Sequence, residues 1–579
     1  MKQLTYILLP VGMIFSAASF SPVLGQTPVI SGLTYNSITQ SSVTLHWKTS
    51  VPSDSRIFRM VSDSNGQPVA YTDSARLASL VTEHTMEIGN LQSAVMYRYM
   101  VKSVAAGGSD SATGYFITQS SSSGKVSVWF NHTVDTSVST GTPANGSANF
   151  QKLFMDQINK ASHSIDITTW LFDEEDSVAA CLIRAKERGV KIRFIYDYTP
   201  LTPDIDTLLA HGIQVVQRNF DTTFTMHDKF WIFDHRHNTS AADQYLLTGS
   251  TNVTHTQFHS DRNNIIIIQD QSLCEVYTRE FEEMWGSHTD EPDLSKSKFG
   301  TEKKGGLAHI LNVGGIPMDV YFAPTDSIAD TLISLISTKP VKSIYFSMLK
   351  FVFPSIESAL HEAFMRGIKI SGVFDSSCSV KKGSAYPRMK GEAVTGSWDP
   401  HADVFIDTIS GLLHHKYSLI NADTSQGEKI VTTGSFNWEL PAQQGNDENM
   451  LVIHDAGVNN LYFQEFMARY RESGGKGLGI NSITDKESGA DVADVICYPN
   501  PFQENTHIQF CLKRTSQVKM DIYGPMGDLV FSLSNSIMDQ GGHVISVDGS
   551  MLPAGILLCR IEAGGKVHSL KLIRKGGSQ

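Results

Sequence analysis

No basic tail and no basic stripe appears in the 579 residues, and the formal net charge is −12. A protein that grips nucleic acid non-specifically needs clustered cations to displace counterions, so that class is disfavoured, although a cationic pocket can sit inside an acidic protein. Cysteine is scarce: Cys181, Cys274, Cys378, Cys497, Cys511 and Cys559 are scattered, with no C-x-x-C pair. That spacing gives no zinc cluster, and a chain of this size needs no disulfide framework to fold. Helical metal-ligand pairs are missing too. His211, His235, His237, His255 and His259 form no H-E-x-x-H pattern and read as loop or surface histidines. After residue 25 no apolar run is long enough to cross a bilayer.

What is present begins with residues 1–25, where Lys2 precedes a mostly apolar stretch and Val23-Leu24-Gly25. This reads as an export signal cut before Gln26. Pro10, Pro22 and the weakly apolar residues 16–21 argue against a membrane span. Residues 26–118 read as all-β, with alternating runs such as Val43-Thr44-Leu45-His46-Trp47 and Tyr97-Arg98-Tyr99-Met100-Val101 between Ser, Gly and Asn turns. Leu91 and Tyr97 have the spacing of a tyrosine corner, and with Trp47 they make the segment resemble a fibronectin type III domain. Residues 119–124 are Ser-rich and predict a flexible linker.

From residue 126 the pattern changes to α/β and repeats. Ile165-Asp166-Ile167-Thr168, a helical stretch ending in Arg188-Gly189, and the strand from Val190 to Asp197 form one strand–helix–strand unit. Ile344-Tyr345-Phe346-Ser347, a stretch ending in Arg366-Gly367, and the strand from Ile368 to Asp375 form a second. The units predict lobes at residues 126–288 and 306–472, separated by a polar segment at residues 287–306. Residues 471–493 read as another linker. Residues 494–579 open on Cys497-Tyr498-Pro499-Asn500-Pro501-Phe502, continue as short alternating strands, and predict a small β-sandwich.

Each lobe carries one further motif. His227-Asp228-Lys229 is followed by Asp234, and His414-His415-Lys416 by Asn421, both in the form H-x-K-x4-[D/N]. On a strand, residues two apart share a face, so each histidine stands beside a lysine. Imidazole can attack phosphorus or carry a proton while ammonium binds the phosphate oxygens. Gly249-Ser250-Thr251-Asn252 and Gly434-Ser435-Phe436-Asn437 follow as polar turns. A lone histidine on a strand is more often structural. Two copies in register within a repeat point to chemistry. His415 faces away from His414 and reads as structural. Trp170, Phe172, Trp231 and Trp438 read as core more often than as substrate contacts. Residues 421–427 hold scattered oxygen ligands without EF-hand spacing and predict a hairpin loop.

These motifs resemble the phospholipase D superfamily, and the opening of residues 494–579 resembles the sorting domain of type IX secretion substrates. The resemblance implies a multidomain chain: a fibronectin-like β-sandwich, duplicated α/β/α catalytic lobes about a pseudo-twofold axis, and a C-terminal β-sandwich. It implies catalysis by His227, Lys229, Asp234, His414, Lys416 and Asn421. Ser250, Asn252, Ser435, Asn437 and Glu448 would bind substrate. One histidine, by family habit His227, would form a phosphohistidine, and the other would protonate the leaving group, without metal or other cofactor. Asn421 departs from the motif's Asp. The acidic position after the turn is Glu448 in the second half but Asn263 in the first. The expected partners are a phosphodiester, phospholipid in preference to nucleic acid, and the type IX machinery. The expected location is the medium or the surface of a Gram-negative cell. Both halves lie in one chain, so no oligomer is required. An endonuclease of the same fold and an inactive surface adhesin are the alternatives.

Overall fold

The computed structural model describes residues 26–61, 72–173, 177–198, 201–218, 223–237, 239–476, 492–512, 514–524, 528–563 and 566–575. The export signal expected at residues 1–25 and most of the linker expected at residues 471–493 lie outside the described residues. The chain divides into two compact units, residues 1–474 and 475–579.

In the first unit, residues 30–117 form a five-stranded antiparallel sheet dominated by two long strands, Val43–Val61 and Thr72–Ile88. Register shifts near Ser53 and Ile57 bend these strands, so the sheet wraps around one core. Alternation supplies that core: Val43, Leu45, Trp47, Tyr97, Tyr99 and Val101 all point inward. The Tyr97 hydroxyl accepts the backbone N–H of Gln92 at 2.9 Å, which closes the predicted tyrosine corner. Trp47 is buried, donates to Ser103 Oγ at 3.0 Å and stacks on His84.

Two lobes follow, each built on a mixed sheet. In the first, Gln214–Gln217, Lys191–Tyr196 and Ser164–Thr169 run parallel, and Phe230–Phe233, Tyr245–Gly249, Asn264–Ile268 and Val126–Phe130 continue antiparallel. In the second, Asp403–Ile406, Lys369–Phe374 and Ser343–Met348 run parallel, and Lys416–Ile420, Ile430–Gly434, Glu448–Ile453, Ile316–Ala323 and Ile310–Val313 continue antiparallel. The central parallel strands, Ser164–Thr169, Lys191–Tyr196, Ser343–Met348 and Lys369–Phe374, are almost wholly buried because amphipathic helices cover them, among them Ser177–Glu187 and Pro354–Met365. In both Gly-Ser turns the glycine has φ of 149°, and an added Cβ would collide with the carbonyl of Asn264 or Asn449 on the neighbouring strand. Only glycine fits there.

Two sequence expectations need correction here. Residues 119–124 are a docked strap rather than a flexible linker. Ser120 Oγ donates to Asp270 Oδ2 at 2.6 Å, Ser122 Oγ to Ala241 O at 2.9 Å, and Gly124 N to Gln269 O at 3.1 Å. The N-terminal domain also holds the edge of the second lobe: Ile310 N donates to the Tyr35 hydroxyl at 3.0 Å, and Asn312 Nδ2 to Ile38 O at 3.1 Å. The polar segment at residues 287–306 does not simply separate the halves either. It carries Lys303 into the interior, where the ammonium donates to Glu280 and to Ala323 O and pairs with Asp447 at 2.9 Å.

The second unit is a sandwich of a three-stranded and a four-stranded sheet. Phe510, Leu512, Val518, Met520, Ile522, Leu557, Ile561 and Leu572 fill its core. The opening Pro499-Asn500-Pro501-Phe502 is pinned to the last strand, Lys566–Arg574. Asn500 donates to Lys571 O and accepts from Ile573 N, and Phe502 N donates to Ile573 O. All six cysteines are free thiols. Among the described residues no helix is long and apolar enough to cross a membrane.

Candidate active site

The two motif histidines, His227 and His414, stand just before the strands that their motif predicts, since those strands begin at Phe230 and Lys416. The preceding segments pair with the opposite lobe. His227 N donates to Asp447 O at 2.8 Å and Asp447 N to Thr225 O at 3.0 Å. Symmetrically, His414 N donates to Arg262 O at 2.9 Å and Arg262 N to Leu412 O at 2.8 Å. Each histidine is therefore held by the lobe to which it does not belong.

The side chains repeat this exchange. His227 Nδ1 lies 2.8 Å from Glu448 Oε2, and His414 Nδ1 lies 3.0 Å from Asn263 Oδ1. The serines of the Gly-Ser turns orient these partners. Ser435 Oγ donates to Glu448 Oε2 at 2.6 Å, and Ser250 Oγ to Asn263 Oδ1 at 2.8 Å. The serine and Glu448 thus orient a histidine rather than bind substrate through their own geometry. One position further on, Asn264 Nδ2 reaches Thr433 and Tyr462, and Asn449 Nδ2 reaches Thr248 and Tyr277. The pseudo-twofold relation runs through every one of these contacts.

Lys229 and Lys416 are buried, and each ammonium donates to the carbonyl of its own histidine at 2.7 Å. Asn252 is 0% exposed and Asn437 2% exposed. Both side-chain polar atoms of Asn252 and the Oδ1 of Asn437 have no protein partner. Buried amides left open in this way carry a desolvation cost that an incoming ligand relieves. Burial, and then the charges of Lys229 and Lys416, hold both His227 and His414 well below the usual imidazole range. Burial likewise lowers Lys229 to about 8 and pushes Lys416 well down. Glu448 is raised to about 7 by burial, against the pull of Lys229. Buried positive charge that water does not stabilise is prepared for an anion.

Asp234 and Asn421 lie elsewhere, which corrects their assignment to the catalytic set. Seven residues of extended chain, on the order of 20 Å, separate each from its histidine. Both have positive φ, 54° and 60°, which Asp and Asn tolerate better than most residues. Asp234 accepts the backbone N–H groups of Ser162, His163 and Ser164. Asn421 accepts Lys342 N at 2.7 Å and donates to Pro340 O and Glu428 O. They fasten the strand's far end to the loop before the strand beside it, Ser164–Thr169 in one lobe and Ser343–Met348 in the other.

Sequence reasoning missed two neighbours of the site, Lys350 and Gln257, and read a third, Trp170, as core. Lys350, partly exposed, adds a third cation that depresses both His227 and Lys416. Trp170 is only half-buried, and its ring lies 6.0 Å from that of His227. Phe172, Trp231 and Trp438 are in the core. Gln257 reaches His414 Nε2 at 3.3 Å. A single lysine, tryptophan or glutamine outside a motif carries no sequence signal of its own. His415 is buried between Asn264 and Glu465 Oε1. His235 departs from the surface reading, because it is largely buried between Gln244 and Glu275. Despite burial, His235 and Arg279 hold the Glu275 carboxyl at about 2. The oxygens of residues 421–424 are taken by the Lys429 ammonium, which donates to Asn421 O and Thr424 O.

Residues 154–285 and 332–470 match the family described as cardiolipin synthase, PLD-like domain, and residues 496–575 match the secretion system C-terminal sorting domain. A mitochondrial cardiolipin hydrolase of Xenopus tropicalis is 28% identical over 148 residues, which are 26% of this chain and 63% of that protein. A phospholipase D of Rickettsia typhi is 31% identical over 131 residues, 23% of this chain and 57% of that protein. The chain thus spans less than two thirds of either relative. The crystal structure of Nuc, a phospholipase D family member from Salmonella typhimurium, aligns at 23% identity over 27% of this chain and 94% of that one, with a TM-score of 0.23.

Proposed function

Phospholipase D-like domains at residues 154–285 and 332–470, followed by a type IX secretion sorting domain at residues 496–575, are the premise from which we propose an exported phosphodiesterase with one active centre shared by its two lobes. The observation that carries it is the crossed pairing of His227 with Glu448 and His414 with Asn263. A phosphodiester anion binds among the ammonium groups of Lys229 and Lys416 and the amides of Asn252 and Asn437. His227 Nε2 attacks phosphorus, and His414 protonates the departing oxygen. Water, deprotonated by His414, then attacks the phosphohistidine and frees His227.

The choice of His227 rests on charge. Phosphorylation makes the imidazole cationic, and the Glu448 carboxylate compensates that charge where the Asn263 amide does not. The lysines supply the positive field, so activity persists in chelator. Phospholipid is the preferred substrate class. The half-buried Trp170 beside His227 offers an apolar wall, and the chain's acidity suits a nucleic acid poorly. The relatives named cardiolipin hydrolase and phospholipase D lean the same way. Export through the type IX machinery to the cell surface or medium completes the reading.

The test gives the protein phosphatidylcholine micelles and single-stranded DNA in parallel, with chelator. Release of choline, abolished in His227→Ala, is the expected result. Shortening of the DNA with an inert lipid moves the protein to nuclease chemistry. Lipid turnover surviving in both His227→Ala and His414→Ala refutes the catalytic assignment.

A further inference from the structure

At one place the two halves differ in a way that reaches a reacting nitrogen. Aligning Asn252 with Asn437 sets Gln257 opposite Ala442. Gln257 sits on the short helix His255–His259, which Thr254 caps, and its side chain is buried. The orientation of its amide follows from its neighbours. Asn252 N–H, a donor, lies 2.5 Å from one amide atom, so that atom is Oε1. The Nε2 of Gln257 then faces His414 Nε2 at 3.3 Å.

The backbone of the same residue acts on the other side of the ring. Gln257 O accepts Asn263 Nδ2 at 3.1 Å. This turns Asn263 Oδ1 toward Ser250 Oγ and toward His414 Nδ1, 3.0 Å away. The Lys416 ammonium lies 3.2 Å from Nδ1 and 3.5 Å from Nε2, too evenly placed to meet either nitrogen along its lone pair. The acceptor at Nδ1 and the N–H donor at Nε2 therefore select one neutral tautomer of His414, with its proton on Nδ1. At His227 only the first half of this arrangement exists. Its Nδ1 faces Glu448, the ring also meets the Ser435 backbone, and no side-chain amide pairs with its Nε2 among the described residues.

We propose that Gln257 is a positioning residue that holds His414 as the Nδ1–H tautomer with its Nε2 capped, and so reserves the first attack on phosphorus for His227. This rests on the proposed phosphodiesterase reading and deepens it by assigning the order of events. The Gln257 amide occupies the side of His414 where the leaving-group oxygen arrives. Lys416 and His415 on its own segment, and Lys229 and His227 from the other lobe, all oppose protonation of His414. A bound phosphate anion offsets them, so His414 Nε2 takes a proton from solvent when substrate displaces the amide. The N–P bond to His227 forms as the P–O bond breaks, and the His414 proton passes to the departing oxygen. The attacking water later returns a proton to His414.

The test is 15N NMR of the full protein carrying labelled histidine, with His414 assigned by its loss in His414→Ala. The wild type is expected to show an unprotonated Nε2 at His414. Gln257→Glu keeps the acceptor for Asn252 but turns an oxygen to the ring, and Nε2 is expected to become protonated. Gln257→Ala resembles the other half. In it, acid-quenched, mass-mapped phosphoenzyme is expected on His414 as well as His227, with kcat reduced by one to two orders of magnitude, roughly the usual effect of losing a group that orients a histidine. A protonated His414 Nε2 in the wild type, or an unchanged tautomer in Gln257→Glu, overturns the proposal. The NMR result stands without turnover. Absence of phosphohistidine in every variant therefore counts against the phosphodiesterase reading and not against the tautomer.

Discussion

A single motif position shows how local chemistry selects between Asp and Asn. Asp234 faces only donors, three backbone N–H groups and the Ser162 hydroxyl, so a carboxylate suits it. Asn421 faces one N–H and two carbonyls, so an amide is required. Asn421→Asp places an anion against Pro340 O and Glu428 O and should cost about 1–3 kcal/mol in a urea melt. No change in the melt would mean that the loop re-forms around the carboxylate. A second residue-scale expectation concerns pH. Glu448 must be ionised to take the His227 Nδ1 proton, so activity rises as pH passes about 7. It falls above about 8 as Lys229 loses its charge. In Glu448→Gln the rise near 7 should vanish and kcat drop by about a hundredfold. A pH–rate profile of both proteins checks this.

At the scale of elements, the strap at residues 119–124 joins the β-domain to the lobes by close backbone approach. A Cβ on Gly124 would overlap the backbone of Gly314, and both glycines have positive φ. Gly124→Val should therefore lift the strap and expose residues 119–124 to protease, while the wild type resists cleavage there. Equal cleavage of both proteins under native conditions would show that the strap is free. The crossed segments before each histidine matter in the same way. They make the distance between imidazole and its partner a property of the lobe interface, so strain in either lobe is felt at both histidines.

At the scale of the molecule, the interface hides charge. Asp228, Glu280 and Asp447 are buried around Lys303, with Arg218 pairing Asp447 at 3.0 Å. Burial raises Asp228 well above its ordinary range and Glu280 to about 7, even with the ammonium present. Lys303→Met removes the cation and should destabilise by roughly 3–5 kcal/mol at pH 8. For a carboxyl whose folded pKa is raised, the penalty is absent below the unfolded pKa, grows as pH rises from there to the folded value, and levels off above it. The loss should therefore shrink at pH 5, where Glu280 and Asp228 are protonated. Urea midpoints at the two pH values measure it, and an equal loss at both would mean that the cluster does not change its charge between them.

Much of this was legible in the sequence because periodicity and repetition are local. The alternating runs around Trp47 and Tyr97 predict the β-domain, and duplicated H-x-K segments point to His227, Lys229, His414 and Lys416. The position shared by Asn263 and Glu448 was visible as an asymmetry able to divide nucleophile from acid, without saying which histidine is which. Whether those side chains meet their own histidine or the other lobe's depends on how two lobes pack, and no local pattern carries that. The same holds for Lys303 and Gln257. A lysine in a polar segment looks solvated, and a glutamine on a short helix looks like surface, until a second element closes over it. The sequence by itself determined the two lobes and the residue types that can do phosphoryl chemistry. The tertiary structure alone decided which group orients which imidazole, because hydrogen bonds across an interface are set by distance in space and not along the chain.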